Sequence, residues 1–443
     1  MIHSATCFDK INFDGGNLSS DGGSILLSTY ISENHFLDNL SNISFHDNRK
    51  APIYSNTSIM QQMIERCYLG YFKQKDQDIL RNDPLLRYSG NPASQPTISR
   101  FFQRVTEKSN KQFKNILTKQ ATRYISENVD DIIMDADSTL VDTNGQQQAA
   151  SYISHYGEVG YHPLVINEYN TKLLMSAQLR AGNAYSSNGI IEELQEILPY
   201  ITHKDRRTIK FRADSAFYSD DILTYLERMN CTYYVRAKGF KKLHETIMEK
   251  IYRNKINPDH YTAMSPYYGE IRYTVGKSKK ARRVVFKMFS YTEKDGQLSL
   301  FPSIYCVITN QNHGNPKSIM DFYEARGTSE NFTKELKNDF HAGTLSHKNF
   351  IENEMEFLIS AYAYNLYHMF QCEILEGKDK TITMETYRSE YQKIAVKVVR
   401  HSRRISVHLS SAYTKKENFY RYLEKVIKST QDTSSYQKYI TYN

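Results

Sequence analysis

Four residues in the last third of this 443-residue chain have the types and spacing to act on phosphates. They are Tyr323, Arg326, Glu330 and Lys337, at offsets of 0, 3, 7 and 14. On an α-helix that turns about 100° per residue, these offsets fall at about 0°, 300°, 340° and 320°. The four side chains would then share one stripe, in which a carboxylate is flanked by two cations and a phenol. Such a stripe can hold a metal ion and bind the phosphates around it, as an enzyme that cuts nucleic acid requires.

The metal chemistry of such an enzyme requires further carboxylates. About three of them hold two divalent ions roughly 3.5–4 Å apart, of which one activates the attacking oxygen and the other stabilises the leaving oxygen. Oxygen ligands favour Mg²⁺, with Mn²⁺ as a substitute. Asp137 lies in a predicted strand and Asp214 ends another, at the edge of an α/β sheet where ligands collect. We therefore take Asp137, Asp214 and Glu330 as the candidate catalytic and metal-binding residues.

Each carboxylate also has an ordinary structural interpretation. An aspartate that ends a strand most often caps a turn, which applies to Asp214. Glu330 fits the first turn of a helix, where the helix dipole favours a carboxylate. Asp135 lies two residues before Asp137 and therefore on the same strand face, so both are candidates for the first carboxylate.

The spacing of the stripe is the stronger observation. Taken singly, Arg326 and Lys337 would be solvated surface charges and Tyr323 a core residue. From composition, the four-residue pattern arises by chance in about one such chain in a hundred. Gly327 lies inside the stripe and favours a break in the helix, in which case Tyr323 and Arg326 lie in the preceding turn.

The elements that must position these residues follow a defined order. Alternating and amphipathic runs predict three strands, then helix, strand, helix and strand. In chain order they are 131–140, 162–168, 172–180, 187–200, 208–213, 219–229 and 231–237. This order predicts an α/β protein with the ribonuclease-H-like fold, a mixed sheet with helices on its faces. Residues 240–310 predict a β-rich insertion, which explains why Glu330 follows Asp214 by 116 residues.

The region before the sheet is predicted to be helical. Thr97 is placed as an N-cap after Pro96, and the helix that follows exposes Arg100 and Arg104. This helix is a candidate DNA recognition helix, and an ordinary helix of a small bundle is an equal alternative. The predicted organisation is a helical N-terminal DNA-binding region (1–127), a first part of the catalytic core (128–239), the β-rich insertion (240–312), a second part of the core with Glu330 (313–380) and a basic C-terminal segment (381–443).

Composition narrows the class of protein. The sequence contains no run of about 18 apolar residues, so no membrane span is predicted. The N-terminus lacks a signal-peptide pattern. Residues 381–443 hold twelve Lys/Arg and five Asp/Glu, and so carry +7 of the net charge of +8. This imbalance predicts a polyanionic partner, although a solvated basic surface has the same composition. The five cysteines form no metal or disulfide pattern and fit a reducing cytoplasm: they are Cys7, Cys67, Cys231, Cys306 and Cys372.

These motifs resemble those of the DDE insertion-sequence transposases. Tyr323, Arg326, Glu330 and Lys337 match the YREK signature of that family. The first and second aspartate motifs are matched by Asp137-Ser-Thr139 and Arg212-Ala-Asp214-Ser-Ala-Phe-Tyr218, which favours Asp137 over Asp135. Three further motifs resemble the branch with a long β-rich insertion: Ala93-Ser-Gln-Pro-Thr-Ile-Ser-Arg100, Gly160-Tyr-His-Pro-Leu164 and Leu179-Arg-Ala-Gly-Asn183.

The resemblance implies a cut-and-paste DNA transposase. The implied triad for two Mg²⁺ ions, replaceable by Mn²⁺, is Asp137, Asp214 and Glu330. The implied contacts to phosphates near the cleaved transposon end are Tyr323, Arg326 and Lys337. Members of the family cut DNA with an activated water, then use the freed 3′-hydroxyl as the nucleophile, often through a hairpin. The implied partners are double-stranded DNA, both terminal inverted repeats and target, and a second copy of the chain in a synaptic homodimer. The implied location is the bacterial cytoplasm, at the nucleoid.

Two other functions share these sequence features. A metal-dependent DNA nuclease without strand transfer would have the same fold and the same carboxylates. A non-catalytic DNA-binding protein derived from a transposase would keep the fold without the chemistry. The presence of all three carboxylates disfavours the second alternative.

Overall fold

The chain folds into two compact units. The computed structural model describes residues 11–89, 91–143, 145–201, 208–276, 278, 280–291, 301–402 and 404–429, so Cys7 lies outside the described part. Unit 1 takes the described residues of Met1–Ser109, Asp339–His341 and Tyr362–Asn443. Unit 2 takes those of Asn110–Asn338 and Ala342–Ala361, and it contains all of the candidate catalytic carboxylates.

The strands belong to three sheets. In chain order they are β1 (Leu18–Ser19), β2 (Asp131–Ser138), β3 (Val141–Thr143), β4 (Ser151–Ile153), β5 (Glu158–Tyr161), β6 (Leu164–Glu168), β7 (Leu174–Gln178), β8 (Thr208–Ala213), β9 (Thr232–Arg236), β10 (Tyr267–Thr274), β11 (Ala281–Phe289), β12 (Ser303–Thr309), β13 (Thr344–Leu345), β14 (Val396–His401) and β15 (Arg404–Leu409).

The α-helices of the described residues are distributed over both units. In chain order they are α1 (Ser24–Glu33), α2 (Asn56–Leu69), α3 (Gln77–Asn82), α4 (Leu86–Ser89), α5 (Gln95–Phe102), α6 (Glu107–Asn128), α7 (Ile190–Ile201), α8 (Asp220–Arg228), α9 (Lys241–Arg253), α10 (Pro316–Glu324), α11 (Ser329–Asp339), α12 (Phe350–Glu373), α13 (Met384–Tyr387) and α14 (Lys416–Ser429). Within the described part of the chain, none of these helices has the length and apolar character needed to cross a membrane.

The large sheet of unit 2 has the strand order of the predicted fold. Its strands run β10-β11-β12-β9-β8-β2-β6-β7. β2 is parallel to β8, and β8 is parallel to β9, whereas β6 is antiparallel to both β2 and β7. The five strands β7-β6-β2-β8-β9 therefore form the mixed sheet of a ribonuclease-H-like fold, which confirms the predicted fold class. β2 lies in the middle of this sheet, so its apolar residues are buried on both faces.

The insertion continues this same sheet. β12 pairs antiparallel with β9, and β11 and β10 follow as antiparallel neighbours. The helix α10 packs on one face of these strands through Ile319 and Met320, which contact Val285 and Val307. The predicted β-rich insertion is thus an extension of the catalytic sheet, to which the structure adds the amphipathic helix α9.

A second, four-stranded sheet in unit 2 is formed by segments that the sequence reading left unassigned. Its strands run β13-β3-β5-β4. The strands are only two to four residues long, too short for a clear alternating pattern. A Cβ on Gly182 would lie 2.2 Å from the carbonyl oxygen of Gly160, and one on Gly160 would lie 2.4 Å from that of Val141. The glycines of the GYHPL and LRAGN motifs therefore permit close contact between backbones beside this sheet.

Unit 1 joins the N-terminal and C-terminal parts of the chain. β1 pairs with β14, which pairs with β15, and α1 packs against α14. The basic C-terminal segment is thus folded into unit 1 as far as it is described. Thr97 is not the N-cap of α5: the helix begins at Gln95 after Ser94, whose hydroxyl meets that of Thr97 at 3.0 Å. Proline is well tolerated in the first helical turn, which explains why the helix starts before Pro96.

Candidate active site

Asp137 lies one residue before the end of β2 and is only partly exposed. Its Oδ1 accepts a hydrogen bond from Nη2 of Arg326 at 3.0 Å, and the two side chains are 21% and 11% exposed. Asp137 pairs with Val165 of β6 in the sheet register. The central strand therefore delivers this carboxylate to the carboxyl edge of the parallel strands β2, β8 and β9, where α/β proteins bind ligands.

Asp135, the other candidate on β2, is committed to a buried ion pair. Arg212 of β8 donates from Nε and Nη2 to the two carboxylate oxygens of Asp135, at 2.6 and 2.7 Å. Nη1 of Arg212 donates to the carbonyl oxygen of Phe322, and the guanidinium lies over the ring of Tyr169 at 4.5 Å. This bidentate pair ties β2, β8 and α10 together and uses both oxygens of Asp135, whereas Asp137 remains partly exposed.

Asp214 follows β8 directly and caps the turn after it. Its Oδ1 accepts a hydrogen bond from the backbone N–H of Ala216 at 2.8 Å, at the start of a 3₁₀ turn, Ser215–Phe217. The structural interpretation of this residue as a cap therefore holds. The cap also fixes the orientation of the carboxylate through one of its two oxygens.

The negative charges of the three carboxylates act on one another. Burial raises the pKa of Asp137 to about 6. The guanidinium of Arg326 opposes this rise, whereas the charges of Asp214 and Glu330 add to it. Glu330 itself is an exposed residue in the first turn of α11. β2, β8 and α11 thus bring Asp137, Asp214 and Glu330 close enough for their charges to interact.

The stripe of the YREK residues is divided among three elements. Tyr323 lies on α10, Arg326 on a 3₁₀ turn (Ala325–Thr328), and Glu330 and Lys337 on α11. The hydroxyl of Ser329 donates to the carbonyl oxygen of Arg326 at 2.7 Å and so closes the turn. Of the two alternatives, one continuous helix or a break at Gly327, the structure shows the break, as a 3₁₀ turn without a left-handed backbone; Tyr323 itself still lies on α10.

Lys337 lies in the last turn of α11, whereas Glu330 lies in its first turn. It follows Glu330 by two helical turns, or roughly 10 Å along the axis. Burial lowers the pKa of Lys337, and the carboxylate of Asp142 on β3 opposes that change. The structure therefore places Lys337 toward the small sheet of unit 2, with Asp142 as its charged neighbour.

A cavity of about 220 Å³ lies beside Arg326 and Tyr323. It is also lined by Arg236, the last residue of β9, and by Tyr305 of β12. The guanidinium of Arg236 lies 5.3 Å from the centre of the Tyr305 ring. Sequence reasoning missed Arg236, although its place at the end of the strand after β8 matches that of Asp214. The cavity thus presents two guanidinium groups and two phenols, with the carboxylate of Glu324 also in its lining, and the guanidinium groups are suitable donors to a phosphate.

Tyr156 is a second residue that sequence reasoning missed. It lies in the turn between β4 and β5, and its hydroxyl donates to the carbonyl oxygen of Ser138 at 3.1 Å. Burial, with the added effect of the negative charges of Asp137 and Asp214, raises the pKa of Tyr156 to about 12. The small sheet therefore brings a neutral phenol to the edge of the carboxylate cluster.

Arg180 of the LRAGN motif fixes the end of β2. Its side chain is buried and donates to the carbonyl oxygens of His162 and Asn188 and to the hydroxyl of Ser138. That hydroxyl in turn donates to the carbonyl oxygen of Ser186 at 2.8 Å. Burial lowers the pKa of Arg180 to about 10. This network holds the residue after Asp137 in place and explains why an arginine stands in the motif.

The carboxylates of Asp137, Asp214 and Glu330 are suitable ligands for a divalent ion, although they are not arranged around a common ion position. Three carboxylates supply hard oxygen ligands, and their mutual repulsion is the kind that a bound cation relieves. In the part of the chain that the structure describes, no group of three or more His, Cys, Asp or Glu residues is already arranged to hold an ion. Asp137 is instead paired with Arg326.

The predicted DNA-binding arginines lie in unit 1. Arg100 on α5 is exposed. Arg104 follows the helix, and its Nε donates to the side-chain oxygen of Asn56 at 2.8 Å while its Nη1 donates to the carbonyl oxygen of Arg100. Arg104 therefore stabilises the end of α5, whereas Arg100 is free to contact a partner.

Comparisons with known proteins extend over both units. The family model described as Transposase DDE domain group 1 matches residues 9–431. Among solved structures, the chain is similar to the piggyBac transposase in a synaptic complex with hairpin DNA, determined by cryo-electron microscopy. The sequence identity is 10% and the TM-score 0.44, over 98% of this chain and 85% of that chain. No curated protein sequence matches this one.

Proposed function

The chain belongs to the family Transposase DDE domain group 1 and acts in DNA transposition; on this premise we propose that Asp137, Asp214 and Glu330 form its catalytic site. The observation that supports this assignment is that Asp137 experiences the negative charges of both Asp214 and Glu330. The reaction we assign is cleavage at transposon ends followed by transfer of the freed strand into target DNA.

Enzymes of the DDE family generally depend on divalent metal ions, and we propose two Mg²⁺ ions here, replaceable by Mn²⁺. When bound, such ions activate the attacking oxygen and stabilise the leaving oxygen. Asp137, Asp214 and Glu330 would hold them through carboxylate oxygens. The hydrogen bond from Ala216 orients Asp214, and the network of Arg180 orients the end of β2, so two of the three ligands are held before a metal arrives.

The groups around the carboxylates would hold the DNA backbone. Tyr323, Arg326 and Arg236 line the cavity of about 220 Å³ and present two guanidinium groups and a phenol to a phosphate. Lys337 would bind a phosphate farther along the strand, because it lies two turns beyond Glu330 on α11. In this proposal, the cavity positions the phosphate next to the one that reacts.

The partners are double-stranded DNA and a second copy of the chain. We assign the terminal inverted repeats and the target to the DNA partner, and a homodimer to the synaptic complex, at the nucleoid of a bacterial cell. Arg100 on α5 and the basic residues of 381–443 would add contacts to the DNA backbone; among them Arg100, Arg400 and Arg404 are exposed.

Substitution of the carboxylates tests the catalytic assignment. Asp214→Ala and Glu330→Ala should each abolish Mg²⁺-dependent cleavage of DNA carrying the element's ends, while DNA binding in a gel-shift assay persists. Asp221→Ala is the matched control, because Asp221 is an exposed carboxylate in the first turn of α8. Full cleavage by either triad variant would exclude that residue from the site.

A target plasmid distinguishes the transposase from its alternatives. The transposase should join the cleaved ends to the plasmid, which sequencing of the junctions detects. A nuclease would cut the donor DNA and leave the plasmid unjoined. A non-catalytic DNA-binding protein would bind the ends and cut nothing, with or without Mg²⁺.

A further inference from the structure

Arg326 makes its ion pair with a proposed metal ligand. Its Nη2 lies 3.0 Å from Oδ1 of Asp137 and 3.5 Å from the carbonyl oxygen of Ala136. Both side chains are mostly buried, so water screens the pair only in part. The 3₁₀ turn, closed by Ser329, holds the arginine at this place. The contact therefore belongs to the folded site and is not an exposed surface pair.

The guanidinium of Arg326 has two possible partners. One is Asp137, which it contacts at 3.0 Å. The other is a ligand in the cavity that Arg326 lines together with Tyr323 and Glu324. Nε of Arg326 is buried and, among the described residues, has no hydrogen-bond partner. A buried guanidinium N–H without an acceptor is unfavourable, and a phosphate oxygen in the cavity is the kind of group that would satisfy it.

We propose that in the metal-free protein Arg326 supplies the positive charge beside Asp137, and that a divalent ion must displace it from this carboxylate in order to bind. This inference rests on the proposed function, because it requires Asp137 to be a metal ligand. Arg326 is then a positioning residue: its hydrogen bond orients Asp137 until the ion arrives. Once released, its guanidinium is free to bind a phosphate in the cavity.

This exchange couples the metal to the DNA. An ion at Asp137 frees Arg326 for a phosphate, and a phosphate in the cavity draws Arg326 away from Asp137. By thermodynamic linkage, each ligand must then raise the affinity for the other by the same factor. The site would thereby bind its metal ions firmly only when a DNA end is present.

Binding of Mn²⁺ to the full-length, DNA-free protein tests the competition. The free ion is measured by electron paramagnetic resonance at pH 7.5, and melting temperatures in EDTA verify that each variant is folded. Arg326→Gln should bind Mn²⁺ about 5- to 30-fold more tightly than the wild type, because the competing charge is gone. Arg326→Lys keeps a charge without the planar contact and should give a smaller increase. Arg228→Gln, an exposed arginine of α8, should leave the affinity unchanged.

The outcomes separate this inference from the proposed function. Unchanged or weaker Mn²⁺ binding by folded Arg326→Gln, with affinity lost in Asp137→Asn, overturns the competition and keeps the metal site. If Asp137→Asn binds Mn²⁺ as tightly as the wild type, both the site assignment and the competition are rejected. Should Arg326→Gln not fold, Arg326→Lys decides alone, and an affinity equal to that of the wild type overturns the inference.

Discussion

At the scale of single residues, burial separates two aspartates that share one face of β2. Asp135 is almost inaccessible and has both oxygens bound to the buried Arg212. Asp137 keeps 21% of its side chain exposed and pairs with Arg326 through one oxygen. The same residue type two positions apart is thus a fully buried ion-pair partner in one case and a partly exposed carboxylate, our proposed metal ligand, in the other.

Amide substitutions should distinguish the two aspartates. Asp135→Asn leaves the charge of Arg212 buried without a counterion, so we expect a loss of stability of about 3–5 kcal/mol. Asp137→Asn should destabilise the protein less than Asp135→Asn, because it leaves the mostly buried Arg326 without its partner but also removes the repulsion among the carboxylates. Urea unfolding and end cleavage are the measurements. If Asp135→Asn is as stable as the wild type, Asp135 is not the structural partner of Arg212. If Asp137→Asn still cleaves DNA ends, Asp137 is not the catalytic carboxylate of β2.

Glu65 on α2 predicts how the stability of unit 1 depends on pH. Burial raises the pKa of Glu65 to about 7, from an ordinary value of 4.5, although a hydrogen bond from Tyr68 opposes the shift. The folded state then binds a proton more strongly than the unfolded state, so this contribution to stability is complete below pH 4.5 and is lost as pH rises through 7.

Glu65→Gln should therefore match the wild type in melting temperature near pH 4.5 and exceed it near pH 8. The expected gain at pH 8 is about 1–3 kcal/mol, since one pKa unit corresponds to about 1.4 kcal/mol. Thermal unfolding of both proteins across this pH range in EDTA is the measurement. A difference that is the same at every pH would mean that Glu65 does not titrate in this window.

At the scale of elements, two glycines have opposite environments. Gly182 lies in close contact with backbone atoms: an added Cβ would meet the carbonyl oxygens of Gly160 at 2.2 Å and Ser151 at 2.6 Å. Gly327, in the turn between α10 and α11, has nothing within 4 Å of an added Cβ. The first glycine is required by packing, whereas the second only favours the tight turn.

Gly182→Ala should therefore lower stability by about 1–3 kcal/mol, because backbone atoms would have to move apart. Gly327→Ala should be neutral or raise stability by up to about 1 kcal/mol, since alanine favours a helical backbone. Cleavage by Gly327→Ala should stay within a few-fold of the wild type. Equal stability of the two variants would show that the small sheet tolerates a wider separation than the structure gives it.

At the scale of the whole molecule, the positive charge is concentrated in the C-terminal segment, residues 381–443. Residues 381–443 carry +7 of the net charge of +8. Within this segment Arg400 and Arg404 are exposed on the hairpin of β14 and β15. Binding of a DNA backbone by such residues releases counterions and makes the affinity depend on salt.

The double substitution Arg400→Gln and Arg404→Gln should weaken DNA binding and make its salt dependence shallower. Each lost phosphate contact reduces the slope of log affinity against log salt by about 0.9. Fluorescence anisotropy at salt concentrations of about 50 to 300 mM gives the slope. Lys241→Gln, an exposed lysine of α9 paired with Glu245, is the control. An unchanged slope would exclude the hairpin from the DNA interface.

The sequence by itself determined the fold class and the candidate carboxylates. Strand and helix periodicity are local properties, so they predicted the order of the ribonuclease-H-like sheet and the interruption before Glu330. The sequence did not predict β3, β4 and β5, because three to four residues carry too little pattern. It also left a continuous helix and a break at Gly327 as alternatives, since periodicity does not report a change from α to 3₁₀ geometry.

Only the tertiary structure decided how these residues meet. The pairing of Asp135 with Arg212, the contact of Arg326 with Asp137 and the cavity beside Arg236 all join residues that are far apart in the chain. Tyr156 reaches the carboxylates through a sheet that the sequence did not reveal. Charge interactions, burial and hydrogen bonding depend on distances between elements. These distances are set only when the chain folds.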